Sequence, residues 1–256
     1  MKIRYYLLIG IVSYLLFTLI NTPAPTVLSL VENQVSLPVK FYGVQGTIWQ
    51  GQTDRLMMQG GPPIDNLRWK LQPSALLTAS IAADVQAQLK QQNMIGHVQV
   101  NSSGDIEASD LRARLEASVI QQLAAIPFGQ LDGVFNIDIA SLQASQQSMP
   151  RAEGRISWKN AKLTMMETVD LGEVLFELKP GKQDSLDIVV GNKGGDISIS
   201  GQANVMNNKR YTVDISFTPQ RSASANVTQS LGMFARRQSN GSYRFKQSGS
   251  LQQLGL

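Results

Sequence analysis

The chain has 256 residues, a net charge of +4 and only 16% charged residues. It contains no cysteine and a single histidine, His97, which excludes disulfide bridges, thiol chemistry and thiolate metal sites. The charge is uneven, because residues 215–256 hold five Arg or Lys and no Asp or Glu.

The first predicted element is a membrane-spanning helix. Lys2 and Arg4 precede an uncharged run from Tyr5 to Ile20, at the short end of the about 17 to 25 residues that span a bilayer. A removed signal peptide should end in a small-x-small cleavage site, and residues 21–25 offer no clean one. We therefore favour an uncleaved anchor, with a signal peptide as the alternative.

The charges at the N-terminus indicate the topology, because they hold that end in the cytoplasm. Residues 1–22 are then the cytoplasmic tip and anchor. Residues 23–256 form an exported domain, which in a Gram-negative bacterium lies in the periplasm. The side chains assigned to the anchor are Leu7, Leu8, Ile11, Leu15, Leu16 and Phe17.

Alternation of apolar and polar residues follows the anchor and predicts antiparallel strands with one buried and one wet face. The clearest alternating runs lie at 67–71, 81–89, 135–139, 174–178, 186–190, 197–199 and 211–217. Helical spacing interrupts them at Val27–Val31, at Leu115–Leu123 and at Val227–Phe234, where Asn226 is the expected N-cap. A fresh strand is expected from Phe41 to Trp49. The pattern predicts a mainly β fold, a curled antiparallel sheet or a β-sandwich-like domain, with two or three short helices.

A weak internal echo suggests a duplication. Gly46–Trp49 aligns with Gly154–Trp158, and Leu56–Met58 with Leu163–Met166. The corresponding halves would be about 40–130 and 131–256.

No set of residues indicates catalysis. A Ser–His–acid triad would have to use His97, which we interpret as a surface histidine on a strand. Gly191–Asp196 could cradle a phosphate but lies between two alternating runs, so a hairpin turn is the better interpretation. Trp49, Trp69 and Trp158 have period-two placement typical of core residues. We predict no catalytic residue, no metal and no cofactor.

Two glycine- and tryptophan-containing segments resemble a known family. Val44-Gln45-Gly46-Thr47-Ile48-Trp49-Gln50-Gly51 and Leu67-Arg68-Trp69-Lys70-Leu71-Gln72-Pro73, together with the anchor and the ending 231–251, are similar to protein N of the bacterial type II secretion system. The positions assigned to this motif, which we interpret as structural, are Gly43, Gly46, Trp49, Gly51, Trp69 and Pro73. The resemblance implies a single-pass inner-membrane protein with a periplasmic β domain, no enzymatic activity and other secretion subunits as partners.

A basic end suggests a contact surface. Its residues are Arg236, Arg237, Arg244 and Lys246, and they could meet an acidic partner or lipid headgroups, or form an ordinary solvated face. The β texture is also distantly similar to AsmA-like β-groove proteins, which makes a lipid-binding or lipid-carrying module the alternative function. No nucleic-acid partner is expected.

Overall fold

The computed structural model describes residues 2–34, 39–58, 63–123, 129–145, 151–165, 167–182 and 185–250. The chain divides into two compact units, Met1–Gln91 and Gln92–Leu256. Antiparallel strands dominate both units and helices are few, which confirms the mainly β, antiparallel fold class. The suggested duplication stays a prediction.

The first unit begins with two helices, α1 at Lys2–Ile20 and α2 at Ala24–Gln34. The end of α1 is capped by side chains: Asn21 Nδ2 donates to the Phe17 carbonyl at 2.8 Å, and Thr22 Oγ1 donates to the Thr18 carbonyl at 2.8 Å. Pro23 follows, and a proline lacks the N–H needed to continue the helix. Judged on the described residues, none of the helices combines the length and the apolar character of a bilayer span.

Within residues 39–58 and 63–91, the sheet of the first unit has five strands. They are β1 at Val39–Tyr42, β2 at Gln45–Gly46, β3 at Gln50–Met58, β4 at Ile64–Leu71 and β5 at Ser80–Leu89. Their order is β1-β3-β4-β5, with the short β2 also beside β3, and a 3₁₀ helix at Pro73–Thr78 joins β4 to β5. The expectation of one strand from Phe41 to Trp49 is wrong, because Gly43 and Gly46 adopt positive φ angles of 68° and 89° that end β1 and β2.

In the described parts of residues 92–250, the second unit has ten strands, most of them in a meander, and two helices. The strands are β6 at Gln92–Asn101, β7 at Ile106–Glu116, β8 at Gln130–Ala144, β9 at Arg151–Thr164, β10 at Thr168–Pro180, β11 at Leu186–Lys193, β12 at Ile197–Val205, β13 at Arg210–Pro219, β14 at Arg236–Arg237 and β15 at Tyr243–Ser250. The helices are α3 at Ala117–Leu123 and α4 at Ala225–Phe234. Consecutive strands pair from β6 to β13, and β15 then inserts between β13 and β14. The described strands of this unit therefore form one sheet rather than two stacked ones.

One face of this sheet carries the core of the second unit. Trp158 is buried and stacks on Phe135 at a ring distance of 5.0 Å, which confirms its predicted core role. Helix α3 buries Val119, and helix α4 buries Val227 and Leu231 against the strands. Each short helix thus lies where helical spacing predicts one, because its apolar stripe needs the sheet face to cover it.

Two local predictions have different outcomes. The hairpin predicted at residues 191–196 is present: residues 191–193 end β11, and Gly194, Gly195 and Asp196 connect it to β12. Asn192 fixes this hairpin, because its side chain donates to the Ile197 carbonyl and accepts from the Ile199 N–H. The N-cap of α4, in contrast, is Ser224 and not Asn226, because the Ser224 hydroxyl accepts from the Val227 N–H.

Candidate functional site

The glycine and tryptophan motif forms one structural cluster in the first unit. Gly46 and Gly51 face each other across β2 and β3, and the ring over Gly51 is that of Trp69 on β4. A Cβ built on Gly51 would lie 2.3 Å from Cζ2 of this ring, so the close approach requires glycine. Trp69 Nε1 donates to the Ile48 carbonyl at 3.1 Å, which ties the ring to the turn after β2.

Two further motif residues lie at the same end of the sheet. Trp49 is half-buried, and its carbonyl accepts from the Leu71 N–H at 2.7 Å. Pro73 opens the 3₁₀ helix between β4 and β5, where its fixed φ suits the first helical position. The sequence alone does not show that Trp69, rather than Trp49, packs on Gly51, because that contact depends on strand register.

A polar groove of about 760 Å³ lies beside this cluster. It is lined by Trp69 and by the side chains of Gln45, Gln50, Gln52, Arg68, Lys70, Asp84 and Gln86. The side chains of Arg68 and Lys70 lie on the same face of β4, and the rise of a strand puts their Cα atoms about 7 Å apart. The groove thus combines two cations with the carboxylate of Asp84, which lies opposite Lys70 in the strand register, and with neutral amides. Such a surface hydrogen-bonds polar groups.

The segment after α1 joins this end of the sheet. The Ile48 N–H donates to the Thr22 carbonyl at 3.1 Å, and Pro23 forms an isolated bridge with Thr47. The chain therefore leaves α1 directly beside the turn between β2 and β3.

The apolar positions assigned to the anchor are only partly described. Leu7, Ile11 and Phe17 are exposed on α1, whereas the side chains of Leu8, Leu15 and Leu16 lie outside the described residues. Their role as an anchor stays a prediction.

The basic end contains one strongly paired residue. Arg244 on β15 binds both carboxylate oxygens of Asp214 on β13, with Nε at 2.7 Å from Oδ1. The hydrogen bond from Arg244 holds the pKa of Asp214 below its ordinary value, and the same bond raises the pKa of Arg244. Sequence reasoning missed this pairing, because Asp214 lies 30 residues earlier, just outside the acid-free segment.

The other basic residues lie near the same edge. In the backbone register of β14 and β15, Arg236 lies opposite Arg244 and Arg237 lies opposite Tyr243. Lys246 lies opposite Asp214 on β13. Arg236, Arg237 and Lys246 are exposed. The structure therefore brings all four predicted residues together along the last strands, with Asp214 neutralising part of their charge.

Backbone hydrogen bonding shows which edge of β15 is open. In an antiparallel sheet, the N–H and C=O groups of successive residues point alternately to the two neighbouring strands. The Gln238 N–H donates to the Ser242 carbonyl at 2.7 Å, on the side of β15 away from β13. Lys246 and Ser248, which lie four and six residues after Ser242, therefore direct their backbone groups to the same side. Strand β14 covers only Tyr243 and Arg244. Among residues 185–250, Lys246 and Ser248 thus present N–H and C=O groups without a strand partner.

His97 is half-buried on β6 and belongs to the second unit, whereas the motif cluster belongs to the first unit.

Comparison with known proteins places these features in a family. The pattern of the family described as type II secretion system (T2SS), protein N matches residues 38–246. A curated relative, the type II secretion system protein N of Vibrio cholerae serotype O1 (strain ATCC 39315 / El Tor Inaba N16961), is 24% identical over 242 residues, or 91% of this chain and 92% of that protein. No solved structure matches the chain significantly. The matched residues include the motif cluster and the basic edge.

Proposed function

The chain belongs to the type II secretion system protein N family, and we propose that it is a non-enzymatic component of this machinery, anchored in the inner membrane and acting through contacts of its periplasmic domain. The observation that carries the proposal is the family match over residues 38–246. Membership implies a component of type II secretion that interacts with other subunits of the apparatus. The anchor, the topology and the contact surface are the finer parts of the proposal.

Helix α1 supports the anchor. Its large apolar side chains are exposed on several sides, with Tyr6 at 71%, Tyr14 at 69% and Phe17 at 67%. A helix that is apolar all round is typically covered by protein or lipid. Residues 1–22 would then form the cytoplasmic tip and anchor, and residues 23–256 the periplasmic part.

The open edge of β15 supports contact with a partner. An unpaired strand edge is a template for an added strand, whose backbone bonds supply affinity. Lys246 on this edge and the nearby Arg236 give it a positive charge, which would favour an acidic segment. The absence of an enzymatic role rests on the sequence, in which His97 is the only histidine available as a base.

Site-specific photocrosslinking in secreting cells tests the contact. A photoreactive residue in place of Lys246 should form adducts with other secretion subunits, whereas the same residue at Ser198, exposed on the inner strand β12, should not. Equal capture at both positions, or adducts with lipid alone at Lys246, would contradict the proposed edge.

The anchor has a separate test. Ile11→Arg places a charge near the centre of the apolar run, at a cost of about 2.5 to 3.5 kcal/mol on insertion scales. We expect the variant to be released from membranes by alkaline extraction while the parent chain is retained. Retention of the variant would argue against a membrane anchor.

A lipid-carrying role is the second candidate, and one observation in the second unit favours it. Ile137, Ile156, Phe176 and Ile215 form part of an apolar row across the strands, and they are only half-buried beside the core. A photoreactive residue at Ile188, which extends this face, should then capture lipid in cells. The neighbouring Val189 faces the other side and is 47% exposed, so it is the matched control. Equal capture of lipid at positions 188 and 189 would refute the lipid-carrying role.

A further inference from the structure

The connection between β4 and β5 exposes an unusual pair of leucines. Leu77 is 89% exposed and Leu76 is 50% exposed, both on the 3₁₀ helix at Pro73–Thr78, and Ile81 at the start of β5 is 58% exposed. Large apolar side chains that cluster in solvent mark a site of contact with a protein or a membrane. We propose that this turn inserts Leu76 and Leu77 into the surface of the bilayer beside α1. The inference rests on the proposed anchor.

The position of the turn is fixed by strand register. Gln50 at the start of β3 lies opposite Lys70 near the end of β4, so the start of β3 and the end of β4 share one end of the sheet. The Gln72 N–H then donates to the Ala82 carbonyl at 2.8 Å, which places the 3₁₀ helix beyond that same end.

The chain also emerges from α1 at this end. Thr22 accepts the hydrogen bond from the Ile48 N–H at 3.1 Å, and the Trp49 carbonyl accepts from the Leu71 N–H at 2.7 Å. Two backbone hydrogen bonds thus connect Thr22, just after α1, through residues 48 and 49 to β4, the strand that leads into the leucine turn. If α1 spans the bilayer, the turn lies at the membrane surface and not at the distal end of the unit.

The turn is held in one conformation. Ala79 adopts the left-handed conformation, and its N–H donates hydrogen bonds to the carbonyls of Ala75 and Leu76. Ser80 is buried, and its hydroxyl donates to the Ala75 carbonyl at 3.0 Å. A turn fixed in this way presents its leucines with little further ordering on binding.

A bilayer fits this surface better than a protein groove does. The leucines lie next to the point at which the chain leaves α1. Lys70, three residues before Pro73 on β4, is exposed and lies opposite Asp84 on β5. Exposed apolar side chains that lie beside a membrane anchor can bind at the boundary between headgroups and acyl chains. A protein partner that covers the leucines instead is a distinct outcome of the test below.

Depth-dependent fluorescence quenching in the full chain tests the inference. Because the protein has no cysteine, single-cysteine variants can be labelled with bimane and reconstituted into vesicles of phosphatidylethanolamine and phosphatidylglycerol with or without brominated acyl chains. Leu77→Cys reports the turn, and Tyr14→Cys reports the anchor. Met57→Cys is the matched control, since Met57 is 46% exposed and lies about 23 Å along β3 from Gln50.

We expect brominated lipid to reduce the fluorescence at position 77 at least twofold, to reduce it strongly at position 14 and to leave position 57 unchanged. Quenching at 14 without quenching at 77 would overturn this inference and leave the anchor intact, including the case in which a protein covers the turn. No quenching at 14 would refute the anchor itself.

Discussion

Gly51→Ala is the substitution that tests the motif cluster most directly. The added methyl group would lie 2.3 Å from Cζ2 of Trp69 and 2.8 Å from the Gln45 carbonyl oxygen. Both distances are far below van der Waals contact, so either the indole ring or β2 must move. Movement of the ring also breaks its 3.1 Å hydrogen bond to the Ile48 carbonyl.

The expected loss follows from these two effects. Forcing an extra carbon into a packed site costs about 1–3 kcal/mol, and the lost hydrogen bond adds about 1 kcal/mol. We therefore expect the first unit to lose about 2–4 kcal/mol of unfolding free energy. Gly191→Ala on β11 is the control, because its new methyl group would lie 3.7 Å from the nearest atom, the Ile199 carbonyl oxygen, and should change stability little.

Hydrogen exchange measured by mass spectrometry is the suitable assay, since it resolves the two units separately. Peptides from β2 and β3 should exchange faster in Gly51→Ala, and peptides from the second unit should not change. Trp69→Leu removes the clashing ring, so Gly51→Ala should cost less in that background. Unchanged exchange in Gly51→Ala, or equal costs with and without the Trp69 ring, would refute the proposed packing.

Three further predictions concern the second unit. Ser224→Ala should destabilise α4 by about 1 kcal/mol through loss of its N-cap, measured by exchange of the helix amides, whereas Asn226→Ala should have little effect; the reverse order would contradict the observed cap. Trp158→Ala should cost about 3–5 kcal/mol in urea denaturation, and a shift typical of a surface residue would contradict its core position. The ion pair of Asp214 with Arg244 stabilises the fold fully above the ordinary aspartate pKa of about 3.9 and loses its effect as pH falls through the lowered folded-state pKa. Asp214→Asn should therefore flatten the acid dependence of the urea midpoint below about pH 4, and an unchanged dependence would show that the pair does not contribute.

Local pattern in the sequence predicted most of the elements. Alternation predicts β4, β5, β8 and β10 to β13, and helical spacing predicts α2, α3 and α4, because each periodicity reflects which side of one element faces the core. No alternating run marks β7 or β9. The limits of this reasoning appear where the backbone departs from regular geometry. Gly43 and Gly46 end strands within a run that alternation alone reads as continuous.

Contacts between distant residues were decided by the tertiary structure. Trp69 packs on Gly51 across 18 residues, and Arg244 pairs with Asp214 across 30. Each contact depends on strand register, and a shift of one residue would turn the side chain to the other face of the sheet. The sequence by itself therefore determined the class of fold and most of its elements, whereas the motif cluster, the partly neutralised basic edge and the leucine turn beside the end of α1 required the pairing of strands in space.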